Sequence, residues 1–252
     1  MNSIIRVLEV NLPPEKESIH DFFGKWFTEL PEKLWPEYIS ASGDDVGETI
    51  PPGDPTPIIR FWNRGGMLPF VGRNSDPAYI LRRRFQYPEN SPPTPQNFTL
   101  ALESSPSSEL AKGAFAFLFR ASQAKFASLC SKDEFYGRHW FSVEIPEEYS
   151  VVETNRGLTV EETIPGVYFR TFFSHDVIEE YDLSLSGIGS LADRFEEVAH
   201  GYMVSAYENG DLLNTEEARE IEQAIERQMN NDAFFHPEDI TEEQLREEAR
   251  IR

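Results

Sequence analysis

This 252-residue sequence predicts an α+β fold: a largely antiparallel sheet with amphipathic helices packed on it, including two strand-helix units. Three observations lead there. Strand-like runs and helical runs alternate across long connections broken by proline and glycine. The order strand, polar turn, amphipathic helix occurs twice. No strand is followed by Gly-x-Gly-x-x-Gly or by a Walker glycine loop, so a doubly wound nucleotide-binding sheet is disfavoured. A chain of this length buries about 70–75% of its extended surface and needs no covalent staple. The expected organisation is one α+β domain over 1–229, with a possible subdivision near 90–97, followed by an acidic C-terminal tail over 230–252.

Ile4-Ile5-Arg6-Val7-Leu8-Glu9-Val10 is rich in branched residues and predicts a strand that ends at Pro13-Pro14. Ile19, Phe22, Phe23, Trp26, Phe27 and Leu30 then recur at three and four positions, which predicts a helix stopped by Pro31. Ala41 to Pro57, with three Gly and four Pro, predicts a loop. Ile58-Ile59-Arg60-Phe61-Trp62 predicts a short strand leading into a Gly65-Gly66 turn, with further strand at Phe70-Val71 and Tyr79-Ile80-Leu81. A proline-rich break covers Pro88 to Pro95.

Phe98 to Glu103 predicts the next strand, and Ser104 to Glu109 supplies hydroxyls that cap a helix. The apolar pattern from Leu110 to Leu129 predicts that helix to be the longest of the chain. With the first strand and helix it makes an echo of two βα units. Trp140 to Val143, Val151-Val152 and Leu158 to Val160 predict strands. Pro165-Gly166 is a turn, and the aromatic run after it, through Phe172-Phe173-Ser174, predicts a central strand. Ile178 and Tyr181 predict a short edge element; Leu191, Phe195, Val198 and Ala199 predict a brief helix. Tyr202 to Tyr207 predicts a strand ending at the Asn209-Gly210 turn. Asn214-Thr215-Glu216-Glu217 predicts the cap of a helix carrying Ala218, Ile221, Ala224, Ile225 and Met229, and from His236 onward the chain predicts a charged surface helix.

The single cysteine, Cys130, cannot form an intramolecular disulfide, and with it a reduced, cytoplasmic setting is expected. The opening MNSIIRVLEV is too short and polar for a signal peptide, and no apolar run is long enough to span a bilayer. Forty-four acidic against twenty-three basic side chains give a net charge of −21. Such a field repels nucleic acid and anionic membranes and speeds encounter with a basic partner. The acids concentrate in 133–182 and 211–252, whereas Arg60, Arg64, Arg73, Arg82, Arg83 and Arg84 face only Asp76 in their own stretch. Internal pairing with the acidic segments is the expectation for this patch, with the gripping of a phosphate or carboxylate as the alternative.

His20, His139, His175, His200 and His236 include no pair at helical metal-site spacing, and there is no His-Glu-x-x-His. No metal and no cofactor are expected. His175-Asp176, with Glu179 and Glu180 nearby, follows the best strand, where a general base would emerge; a small-molecule hydrolase or transferase centred there is the enzymatic alternative. Ser186-Gly187-Ile188-Gly189-Ser190 lacks the nucleophile elbow. A protein that mimics DNA with its carboxylates is a third reading. Aromatics in acidic, loop-like context are candidate partner anchors: Trp35 beside Glu37, and Tyr136 and Trp140 with Glu134, Glu147 and Glu148.

The segment Ile164-Pro165-Gly166-Val167-Tyr168-Phe169-Arg170-Thr171-Phe172-Phe173-Ser174, preceded by the unit Phe98 to Cys130, resembles the immunity protein 52 family of bacterial polymorphic toxin systems. Phe169 stands where that family has tryptophan, and Ser174 where it tends to have glycine. Tyr202 to Tyr207 with Asn209-Gly210-Asp211-Leu212-Leu213 is similar to the family's near-terminal strand and turn. The resemblance implies a cytosolic antidote that binds a cognate toxin and catalyses nothing; it transfers no toxin-contacting residue.

Overall fold

The branched N-terminal run becomes β1 (Ser3–Val10), the strand on which the fold is assembled. The computed structural model of the chain describes residues 2–10, 16–39, 48–64, 67–72, 78–82, 96–145, 150–158, 160, 163–198 and 200–251. Eleven further strands follow: β2 (Pro36–Ile39), β3 (Glu48–Thr49), β4 (Met67–Gly72), β5 (Ala78–Arg82), β6 (Gln96–Leu102), β7 (Ala124–Ser131), β8 (Trp140–Ile145), β9 (Ser150–Asn155), β10 (Arg170–Ser174), β11 (Arg194–Val198) and β12 (Gly201–Ser205). Ten of the twelve strands found among the described residues form one sheet in the order β11-β12-β10-β7-β1-β6-β5-β4-β2-β3, and each neighbouring pair is antiparallel. β8 and β9 make a separate two-stranded ribbon. This is the α+β fold with a largely antiparallel sheet that the sequence predicts.

β1 lies between β6 and β7, where Ile5 pairs with Leu100 on one side and Leu129 on the other; all three are fully buried. The first helix, α1 (Lys16–Glu29), places Phe22, Phe23, Trp26 and Phe27 inward. The second helix, α2 (Thr56–Arg64), packs against α1. Ser108 caps the third, α3 (Glu109–Ser122), by accepting from the Ala111 amide at 3.2 Å. Phe117 of α3 meets Trp26 edge-on at 5.9 Å, and Phe119 stacks on Phe172 of β10 at 4.5 Å. The two βα units therefore sit side by side: β1 and β6 are antiparallel neighbours, and α1 and α3 pack on each other.

Short helices α4 (Lys132–His139) and α5 (His175–Glu180) leave the ends of β7 and β10 under serine caps, Ser131 and Ser174. α6 (Glu216–Asn230) starts at Thr215, which accepts from the Ala218 amide at 3.1 Å. Beyond it the chain returns to the core: Ala233 and Phe234 are buried, and Ile164 exchanges backbone hydrogen bonds with Ala233 and Phe235, both at 2.8 Å. The last helix, α7 (Glu242–Ile251), packs on the β8–β9 ribbon. Among the described residues, no helix is long and apolar enough to cross a membrane.

Several local expectations are corrected. Residues 58–62 belong to helix α2, because the Asp54 carboxylate accepts from the Thr56 amide at 2.9 Å and starts a turn that the branched residues then continue. The helix predicted through Leu129 stops at Ser122: Gln123 takes a left-handed conformation (φ 49°), and the remainder is β7. β7 is buried on both faces, which removes the polar alternation that marks a strand. Residues 175–180, read as an edge element, form α5, and residues 194–198, read as a helix, form edge strand β11. Leu158 and Val160 lie outside any strand, β3 arises within the segment Ala41 to Pro57 that was expected to be a loop, and β2 precedes that segment.

Candidate functional site

Behind the Pro165-Gly166-Val167-Tyr168 segment lies a cluster of buried charges contributed by α4 and α6. On α4, Glu134 and Arg138 are one helical turn apart, and Arg138 Nη2 donates to Glu134 Oε1 at 2.5 Å. The same nitrogen donates to Glu222 of α6, and Nη1 donates to the Val167 carbonyl at 2.8 Å. The guanidinium also lies 4.4 Å over the Tyr168 ring. Glu226, one turn after Glu222, accepts from the Val167 amide at 2.8 Å and from Arg219 at 3.2 Å. Tyr207 donates to Glu222 Oε1 at 3.2 Å.

Gly166 closes the collar. Its φ of 134° favours glycine, and a Cβ there would stand 3.2 Å from both Arg138 Nη1 and Glu226 Oε1. A second close approach lies alongside. Gly157 (φ 59°) carries the Phe235 ring where a Cβ would be only 2.3 Å from it, and that ring stacks on His139 at 5.4 Å. His139 is fully enclosed: Nδ1 is 2.7 Å from the Arg156 carbonyl and Nε2 is 2.5 Å from the Tyr168 hydroxyl.

Three carboxylates here face two guanidiniums, so complete ionisation would leave a net negative charge in the interior. Burial answers this by raising Glu222 and Glu134. Glu222 is pushed up to about 8 and Glu134 also rises, although Arg138 pulls both the other way. The two act as one titrating pair that retains a proton near neutrality. Burial works against charge on Arg138, but Glu222 and Glu134 outweigh it and hold the guanidinium protonated. Burial, with Arg6 adding repulsion, pushes His139 down to about 3, so the imidazole is neutral. Burial also raises the Cys130 thiol and the Tyr168 phenol. The cluster is sealed: the side chains of Arg138, Glu134, Glu222 and Glu226 are each at most 10% exposed.

The sequence-derived candidates separate into different environments. Trp35 is half-buried; its Nε1 donates to the Leu30 carbonyl at 3.0 Å and its ring packs edge-on against Phe27 at 5.4 Å. Glu37 lies half-buried on β2. Glu134 points into the buried cluster, away from any partner. Tyr136 is exposed and Trp140 half-buried, with their rings 4.7 Å apart. Glu147 and Glu148 lie outside the described residues. His175 and Asp176 are on open surface, with His175 Nε2 3.8 Å from exposed Glu197. Of the arginine patch, Arg60 pairs with Glu48 at 2.9 Å, while the side chains of Arg64, Arg73, Arg82, Arg83 and Arg84 lie outside the described residues. Among the described residues no three of His, Cys, Asp and Glu are placed to hold a metal ion.

Sequence reasoning missed Glu222, Glu226 and Arg138 as a unit. One signal was present: Ala218, Glu222, Ile225 and Met229 follow helical spacing along one stripe of α6, so Glu222 occupies a position that the pattern reserves for an apolar residue.

No family model matches the chain, and no curated protein does. Among solved structures, the chain is similar to the Pseudomonas aeruginosa T6SS protein PA0821, at 11% identity and a TM-score of 0.46, over 82% of this chain. The overlay spans 65% of that protein's chain. A likeness this loose bears on neither the family nor the activity of the present chain.

Proposed function

We propose that this chain is a non-catalytic binding protein that neutralises a basic protein toxin by covering it. The observation that carries the reading is the closure of the buried charge cluster. Its acids and arginines are turned on one another, so they serve the scaffold. The surplus of a chain with net charge −21 therefore acts outward, as a field that accelerates association with a cationic surface. The resemblance to immunity protein 52 supports the same class. The open placement of His175, with exposed Glu197 beside it, supplies none of the enclosure that a general base needs to act on a bound metabolite.

The test is co-expression with the product of the adjoining gene. That product is expected to arrest growth alone and to be tolerated with this chain, and the purified pair is expected to form a one-to-one complex that titrates toxicity stoichiometrically. Protection at catalytic ratios, or no complex, overturns the reading.

A further inference from the structure

The β8–β9 ribbon stands apart from the main sheet and has two unlike faces. Val143 and Thr154 are buried and, with Val152, face inward. α7 packs on this ribbon, and its Leu245 is buried like Val143 but, like it, lies outside the main core cluster. The strand alternation turns Trp140, Ser142 and Glu144 outward on β8 and Val151, Glu153 and Asn155 outward on β9. All but the half-buried Trp140 are exposed. Tyr136 of α4 extends this face through its ring contact with Trp140.

The composition is unusual for a solvated face. Three large hydrophobic side chains are exposed among the described residues, and two of them, Val151 at 63% and Tyr136 at 39%, are here. The exposed carboxylates of these elements are Asp133, Glu144 and Glu153, and the Lys132 ammonium sits 5.7 Å over the Tyr136 ring. Aromatic and branched anchors within an acidic rim suit a cationic protein surface that also offers apolar contacts.

We propose that this outward face of the ribbon, extended by Tyr136, is the docking surface for the basic protein partner, with Val151, Tyr136 and Trp140 as anchors and Glu144, Glu153 and Asp133 as the charged rim. The inference rests on the binding function proposed above and assigns it a surface. Glu134, the acid nearest in sequence to Tyr136, is excluded because it belongs to the interior.

The test uses the full chain and the product of the adjoining gene. Hydrogen exchange is measured on the chain alone and in the complex, and the parent is compared with Val151→Lys, Tyr136→Ala and the pair Glu144→Lys/Glu153→Lys. Slowed exchange over 140–145 and 150–155 is expected on binding. Val151→Lys is expected to weaken binding by about 30-fold with an unchanged melting temperature, as loss of a central anchor does. The double charge reversal is expected to slow association chiefly. Protection confined to other elements, with Val151→Lys binding as the parent does, overturns this surface and leaves the proposed function standing. Absence of any complex overturns both. Sedimentation of the chain alone as a dimer that protects the same amides makes a second copy the occupant, and likewise overturns the proposal.

Discussion

Replacing Arg138 with methionine tests whether the buried charge cluster holds the fold together. Methionine keeps an unbranched side chain of adequate length but removes the donors to Glu134, Glu222 and the Val167 carbonyl, and the cation over Tyr168. Three carboxylates would then share the interior with Arg219 alone. Removing one partner from a buried ion pair costs about 3–5 kcal/mol, mostly because the other charge is stranded. For a chain of this size each kcal/mol is worth about 2–4 °C, so a fall of roughly 6–20 °C in Tm is expected. The stranded acids can relieve the loss by taking up protons, so the fall should be smaller at pH 5.5 than at pH 8. Arg138→Lys keeps the charge without the planar fork and should lie between parent and methionine variant. Thermal unfolding followed by circular dichroism at both pH values reads all of this. A methionine variant that melts within about 2 °C of the parent at both pH values refutes the assignment of the cluster as a keystone.

The same cluster predicts the shape of the pH–stability curve. Glu222 binds its proton more tightly folded (about 8) than unfolded (4.5), so the stability it contributes at low pH is lost as pH rises through that interval. His139 has the opposite sign: its folded value near 3 lies below the unfolded 6.5, so its contribution is lost as pH falls below 6.5. Stability should therefore peak between about pH 4.5 and 6.5; Glu222→Gln should flatten the decline from 6.5 to 8, and a parent whose stability rises across that range contradicts the scheme. Gly166→Ala should cost about 1–3 kcal/mol, because it combines a disfavoured φ with crowding of Arg138 and Glu226; equal urea midpoints for variant and parent would disprove the collar. Association with the proposed basic partner should slow as ionic strength rises, and a rate constant unchanged between low and physiological salt removes the steering argument.

How much of this was legible in the sequence depended on whether a segment meets water on one side. β1, α1 and α6 were readable because branched runs or helical spacing survive in them, and β10 because aromatic residues concentrate there. β7 was not: it lies between β1 and β10 with both faces covered, so its alanines, serines and Leu129 lack alternation and extend the helical pattern of α3. The length of α2 hid its own spacing, although Ile58, Phe61 and Trp62 fall at the positions of one helix face. β11 misled for the reverse reason. Leu191, Phe195 and Val198 are spaced like a helix, but they straddle a short turn and a half-exposed edge strand. The charge cluster was the least readable feature. Glu134 with Arg138 is the commonest pattern of a solvated helix, a carboxylate four residues before a cation. Glu222 of α6 and the Val167-Tyr168 segment close on Arg138 and take that pair out of water.

That burial changes what the most recognisable segment means. Pro165-Gly166-Val167-Tyr168 reads in the sequence as a turn entering a strand, yet in the structure each residue after the proline serves the charge cluster. Gly166 makes room for Arg138, Val167 supplies both an acceptor to Arg138 and a donor to Glu226, and Tyr168 lies beneath the guanidinium. The segment is therefore a requirement of the scaffold and lies away from the surface that would meet a partner. The ribbon is constrained differently. Its inward side chains must pack, whereas Ser142, Glu144, Val151 and Glu153 are exposed on its outward face. A fold locked from within by paired charges can change those outward residues with little loss of stability, so on the proposed docking surface partner choice would fall to residues other than those that set folding.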